Sequence, residues 1–135
     1  MFQSGLAEPA DHKQITELKD FITPVPPPWV AKSIFYQIFP DRCYNGNPAI
    51  DPKNKASCND KTDFNNFFGG DFQGIIAKIP YLQQLGVTGV YLNPIFDSPS
   101  NHKYNTSDYL RIAPEFGDLE TFKLALTMED GNAWV

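Results

Sequence analysis

Apolar positions along the chain fall into two kinds of run. Ser33–Phe39 (SIFYQIF) and Val87–Leu92 (VTGVYL) are short, aromatic and β-branched with little polar alternation, which predicts buried strands. Between them Phe72, Ile75, Ile76, Ile79, Leu82 and Leu85 recur at helical spacing, predicting a helix over 71–85. Asp71 is placed to cap its start and Gly86 to close its end, while Pro80 is expected to kink or split it. A second helix is predicted within FGDLETFKLALTMED, capped by Asp118. The order strand, helix, strand, helix points to a parallel βαβ architecture of the α/β class, with continuous apolar strands covered on both faces. In such sheets the loops leaving the carboxyl ends of the strands carry the chemistry. Here these are the loops after Phe39 and after Leu92.

Upstream, residues 1–23 are mixed and mostly polar, with one or two helical turns expected around HKQITELKDF. TPVPPPW follows, with four prolines between Pro24 and Pro28, a composition that favours an extended spacer. Residues 1–28 therefore read as a remnant tail and linker, and 29–135 as the folded part. The length of 135 residues, 41% of them hydrophobic, suffices for one core. The net charge of −5 and the lack of any Lys/Arg run argue against a nucleic-acid or anionic-membrane partner. No apolar run approaches the ~20 residues that span a bilayer. No basic-then-apolar leader opens the chain, so a cytoplasmic location is expected. Cys43 and Cys58 form no CxxC pair; one loop disulfide and two free thiols both stay open, the latter suiting a cytosolic protein.

The first loop offers Asn45, Asn47 and Asp51, followed by Gly69 and Asp71 in FFGGD. Oxygen donors of this kind suit a hard cation such as Ca²⁺, yet the spacing is not that of an EF-hand, and an ordinary Asx-rich turn explains the same residues. The second loop, NPIFDSPSNHKYNTSDY, offers His102, Tyr104, Asp108 and Tyr109. A tyrosine face suits a sugar or nucleobase ring, and His and Asp suit hydroxyls; tyrosines that merely cover a rim are the alternative.

Taken together, SIFYQIFPDR, NGNP, FFGGDFQGI, LQQLGVTGVYLNPIF, SPSNHKYNTSDY and FGD resemble, in order and spacing, the start of an α-amylase-family catalytic domain. The likeness is greatest to the neopullulanase, cyclomaltodextrinase and maltogenic-amylase branch, and runs from Trp29 to Phe122. It implies the first two βα units of a truncated (β/α)8 barrel, preceded in that branch by a starch-binding β-domain. It also implies a calcium ion held by Asn45, Asn47, Asp51, the Gly69 carbonyl and Asp71. Tyr104 matches a tyrosine that stacks on glucose, and His102 a neighbour lining the same subsite. The sequence departs at Asn47, where aspartate is usual, at Ile50, where asparagine is usual, and at Cys43 and Asn105. Losing one charge and one ligand should weaken the ion.

Retaining hydrolysis of an α-glucosidic bond needs two carboxyl groups close together. In the family these, and a third aspartate that holds the sugar's hydroxyls, follow strands four, five and seven, and Asp97, Asp108, Glu115 and Asp118 do not match them. The chain is thus expected to be an inactive part of a glycoside hydrolase acting on maltodextrins, cyclodextrins or pullulan. The partner implied is an α-glucan or maltooligosaccharide, and open barrel edges imply self-association. A non-catalytic carbohydrate-binding fragment is the alternative. A doubly wound domain for a phosphorylated ligand ranks last, because PDRCYNGNP supplies no Gly-rich turn after the first strand. Residues 124–135 depart from the resemblance; with Glu129–Ala133 encoded GAA-GAT-GGG-AAT-GCG, a one-base slip would restore a Lys-Met-Gly-Met reading, so a frameshifted or interrupted gene is expected on those codons.

Overall fold

A computed structural model describes residues 25–60 and 62–127. The helical turns expected near residues 12–21 and the segment 128–135 lie outside the described residues. The chain divides into two compact units, Met1–Ala31 and Lys32–Val135. In the first unit, a turn after the prolines is closed by the Val30 amide donating to the Pro27 carbonyl (2.9 Å).

In the second unit, strand β1 (Phe35–Ile38) pairs in parallel with β2 (Gly89–Leu92), with Phe35 opposite Gly89 and Ile38 opposite Leu92. Helix α1 (Phe72–Gln84) makes the crossover between them. The α/β class and parallel order read from the sequence are both present. Beyond β2 the chain forms β3 (Phe96–Asp97) and β4 (Asp108–Ile112), an antiparallel pair with an irregular register, and then helix α2 (Leu119–Leu126). That hairpin has no counterpart in the sequence reading, which treated the whole segment as turn-rich. Its strands alternate too briefly, across too wide a loop, to signal pairing.

Helix α1 starts and stops where its sequence dictates. The Asp71 side chain accepts the Gly74 amide (2.6 Å). At the other end Gly86 takes φ +78°, its amide donates to the Gln83 carbonyl (2.9 Å), and the Val87 amide donates to the Leu82 carbonyl (3.1 Å). This is a Schellman closure, and both Val87 and Leu82 are buried in the core. Of the two outcomes expected at Pro80, the split does not occur: the helix runs through it unbroken. The proline lies on the exposed side, where water can serve the carbonyl left without an amide partner. Leu85, expected on the apolar face, is exposed as the helix closes around it. Helix α2 is capped by Asp118, which accepts the Thr121 amide (2.8 Å).

The core forms around Phe72, which is fully buried and packs its ring on Phe116 (6.0 Å) and Phe122 (5.1 Å). Ile38, Ile75, Leu82, Val87, Ile95, Ala113 and Ala125 complete it. The expectation of strands covered on both faces fails for β1, where only Ile38 is buried while Phe35, Tyr36 and Gln37 are exposed. A two-strand sheet with helical cover on one side leaves its other face and its outer edges in water.

Gly74 sits where α1 meets the first loop, and a Cβ there would run into the Tyr44 carbonyl oxygen. Helix propensity alone favours alanine by about 0.8–1 kcal/mol. We expect Gly74→Ala to reverse that sign and lower stability by about 1–3 kcal/mol, as overpacking does. Urea denaturation of the two chains measures it.

Candidate functional site

The exits of β1 and β2 share one end of the sheet. The Asn93 amide donates to the Ile38 carbonyl (2.9 Å), and Gln37 Nε2 donates to Asn93 Oδ1 (2.7 Å). Parallel pairing makes this unavoidable, since both strands leave in the same direction.

The long loop from β1 to α1 is shaped by two buried carboxylates. Asp41, 1% exposed, accepts the amides of Phe68 (3.0 and 3.1 Å) and Gly69 (3.2 Å), and its carbonyl accepts the Gly70 amide (2.8 Å). Asp71 accepts the amides of Gly46 (3.1 Å to each oxygen) and Asn47 (2.7 Å) besides its capping bond. The NGNP turn is thereby fastened to the N-terminus of α1. Arg42 packs its guanidinium on the Phe39 (5.4 Å) and Phe68 (5.0 Å) rings and donates to the Phe64 carbonyl (2.8 Å).

Of the predicted metal residues, Asn45, Asp51 and Gly69 come together. Asn45 Nδ2 donates to Asp51 Oδ1 (2.6 Å), and a Cβ on Gly69 would lie 2.5 Å from Asp51 Oδ1 and 2.9 Å from Asn45 Nδ2. Asn45 Oδ1 is buried without a hydrogen-bond partner. Among the described residues no cluster of three or more His, Cys, Asp or Glu side chains could hold a metal, so any ion here would need amide and carbonyl oxygens beside the carboxylates. The donors fit a hard cation in kind: all are oxygens, one of them an orphaned acceptor. They fit it less well in number, because Asn47 Oδ1 accepts the Ala49 amide of its own turn (3.2 Å) and both Asp71 oxygens already serve backbone amides.

The second loop is organised by a residue that the sequence did not single out. Lys103 is fully buried with a left-handed backbone (φ 61°). Its ammonium donates to the Ser98 carbonyl (3.0 Å) and to Glu115, between the Phe67 (5.3 Å) and Phe116 (5.4 Å) rings. A buried ammonium is tolerated because carboxylate, carbonyl and ring faces surround it. On either side of it stand His102 and Tyr104, their rings 5.9 Å apart. The Tyr104 amide donates to His102 Nδ1 (3.1 Å), which leaves the imidazole proton on Nε2. Tyr104 is 61% exposed. Asn105, the departure noted above, accepts hydroxyls from Ser98 (2.7 Å) and Ser100.

Asn101 joins the loops, its Nδ2 donating to the carbonyls of Phe64 (2.7 Å) and Asn66 (2.9 Å). The site therefore brings His102 and Tyr104 onto a loop tied directly to the first. Tyr109 lies apart from them in β4 against Phe96 (5.7 Å), and Asp108 accepts the Leu110 amide (2.8 Å). Cys43 and Cys58 are free thiols, and burial pushes the Cys43 thiol up from its ordinary value. Asp41, Asn93, Asn101 and Lys103 were missed because their partners lie far along the chain. The one signal was their density in PDR and in NPIFDSPSNHKY.

Comparison with known proteins agrees with the α/β fold. The family described as "Alpha amylase, catalytic domain" matches residues 37–129. A cyclomaltodextrinase of Geobacillus thermopakistaniensis is 57% identical over 99 residues, covering 72% of this chain and 17% of the relative. An intracellular maltogenic amylase of Bacillus subtilis is 54% identical over 98 residues, with the same coverages of 72% and 17%. Among solved structures, the cyclic α-maltosyl-(1→6)-maltose hydrolase of Arthrobacter globiformis superposes with a TM-score of 0.71 at 43% identity, over 74% of this chain and 23% of that one. The chain thus spans about a sixth of the length of the curated relatives it matches.

Burial raises the Asp41 pKa above its ordinary 3.8, opposed by the Phe68 and Gly69 amides and by the charges of Arg42 and Lys103. Between 3.8 and the raised value the folded state holds the proton more tightly than the unfolded chain, so stability falls as pH rises through that window. Asp41→Asn keeps an acceptor for the amides and removes the titration. Its stability, followed by urea denaturation across the acid range, should lack the Asp41 part of that fall.

Proposed function

The chain belongs to the α-amylase family, and on that premise we propose that it supplies the first two βα units of a (β/α)8 barrel, built to present an α-glucan-binding rim. The tail and proline linker of residues 1–28 would join this part to a preceding domain, and residues 29–135 would begin the barrel. The observation that carries the reading is Tyr104: an exposed ring beside His102, on a loop clamped by a buried lysine, at the carboxyl end of two parallel strands. A glucose ring presents an apolar face suited to the tyrosine, and its hydroxyls suit the His102 Nε2 proton. The names of the relatives, cyclomaltodextrinase and maltogenic amylase, favour maltooligosaccharides or cyclodextrins as ligands.

In the complete enzyme the reaction would be retaining hydrolysis of an α-glucosidic bond, with one carboxylate attacking the anomeric carbon and a second protonating the leaving oxygen. Four carboxylates among the described residues favour no such role. Asp97 faces Arg111 (3.7 Å), Asp108 and Asp118 accept backbone amides, and Glu115 is bound to Lys103. The chain alone is therefore expected to bind without turnover, and a purely carbohydrate-binding role is the second reading it supports.

Asn45, Asn47, Asp51, the Gly69 carbonyl and Asp71 would hold a structural calcium ion, supplying charge to the NGNP turn and no chemistry to the sugar. The exposed Tyr36 of β1 and Tyr91 of β2 favour association with further strands, either a second copy or the rest of a barrel. A groove of about 390 Å³ beside β1, lined by Tyr36, Phe39, Tyr44 and Tyr81, favours the same. A cytoplasmic location is in keeping with the name of the intracellular relative and with described helices that are too short or too polar to cross a membrane.

Titration calorimetry with maltoheptaose tests the reading. We expect measurable binding that Tyr104→Ala abolishes and His102→Ala weakens, and no release of reducing sugar. Unchanged binding in Tyr104→Ala would reject the stacking role.

A further inference from the structure

Lys55 reaches into the proposed cation group from a third side. Its backbone is fixed beside the FFGG segment by a bridge to Phe67, with the Ala56 amide donating to the Phe67 carbonyl (2.8 Å). Its stem crosses Gly69, with Cδ lying 2.6 Å from where a Cβ on that glycine would stand. Its ammonium forms an ion pair with Asp51 Oδ2, while Asp51 Oδ1 accepts from Asn45. The pair lies at the surface but is partly covered: the Lys55 side chain is 34% exposed and that of Asp51 19%. The carboxylate at the centre of the group thus already has a cation, delivered by the chain itself. Asn45 Oδ1 remains the buried acceptor without a partner.

We infer that Lys55 is a tethered competitor for the loop's cation, holding with its ammonium the Asp51 oxygen that a metal ion would share. The inference rests on the calcium reading given above. An ammonium and a divalent ion cannot both occupy the Asp51 carboxylate at bonding distance without strong repulsion. Calcium must therefore displace Lys55 into solvent before it binds, and the ion pair lost sets its affinity. Neutralising one of two carboxylates in a group otherwise made of neutral oxygens also removes the charge on which hard-cation affinity depends. In the absence of calcium, the same pair holds Asp51 in place and keeps the turn closed.

The test is calorimetric titration of the 135-residue chain with CaCl₂, alongside Lys55→Met, Lys55→Gln, Lys55→Arg and the neighbouring control Lys53→Met. We expect weak binding by the unaltered chain, a gain of roughly tenfold or more in Lys55→Met and Lys55→Gln, and no gain in Lys55→Arg or Lys53→Met. A second readout needs no variant: calcium should raise the rate at which an amine-acylating reagent labels Lys55, located by peptide mass spectrometry. Binding that is equal in the unaltered chain and in Lys55→Met or Lys55→Gln would overturn the inference and leave the ion site standing. No binding in any chain would overturn both.

Discussion

A backbone amide meeting a buried carboxylate is the interaction on which the rest of this molecule depends, and it occurs twice. Asp41 takes the amides of Phe68 and Gly69, and Asp71 takes those of Gly46, Asn47 and Gly74. The segment between β1 and α1 is long and lacks hydrophobic periodicity, so no apolar face folds it. Burying a carboxylate is costly unless its oxygens are served, and here the loop's own amides serve them. The loop can close only in the conformation that brings those amides together. Gly46, Gly70 and Gly74 follow from this, since a Cβ at any of them would strike the backbone crossing it.

The second loop reverses the charge. Lys103 is buried as the cation, and Ser98, Glu115 and two phenylalanine rings are its environment. One of those rings, Phe67, belongs to the first loop and adjoins the Phe68 amide that Asp41 holds. The two clamps therefore share a wall, and Asn101 adds hydrogen bonds across it. His102 and Tyr104 owe their placement to this arrangement: the chain turns through a left-handed residue between them, and the Tyr104 amide fixes the imidazole tautomer. A ring poised for stacking needs a rigid mount more than it needs contacts of its own.

The division between rim and chemistry accounts for the functional reading. Among the described residues, Asp41, Asp51, Asp71, Asp97, Asp108, Glu115 and Asp118 are engaged in holding structure, as a cap, a clamp, a turn or an ion-pair partner. What remains exposed at the carboxyl end of the sheet is aromatic and hydrogen-bonding. On the proposed reading such a surface would serve to recognise a sugar ring, in a chain that spans about a sixth of the length of the curated relatives it matches.

The sequence by itself determined the elements that local chemistry controls. Asp71, Gly86 and Asp118 marked helix ends because capping and closure involve neighbours within one turn, and the apolar runs marked β1 and β2 because strand propensity is local. Parallel pairing followed from element order, and with it the shared exit of the two loops. Tertiary structure alone decided the rest: that β1 is largely exposed, that Phe96–Asp97 pairs with Asp108–Ile112, that Asn47 serves its own turn, that Lys55 pairs with Asp51, and that Lys103 is a buried cation. Each of these depends on residues distant along the chain or on which surfaces find cover, and burial makes a lysine a clamp or a solvated side chain without changing a letter of its surroundings in sequence.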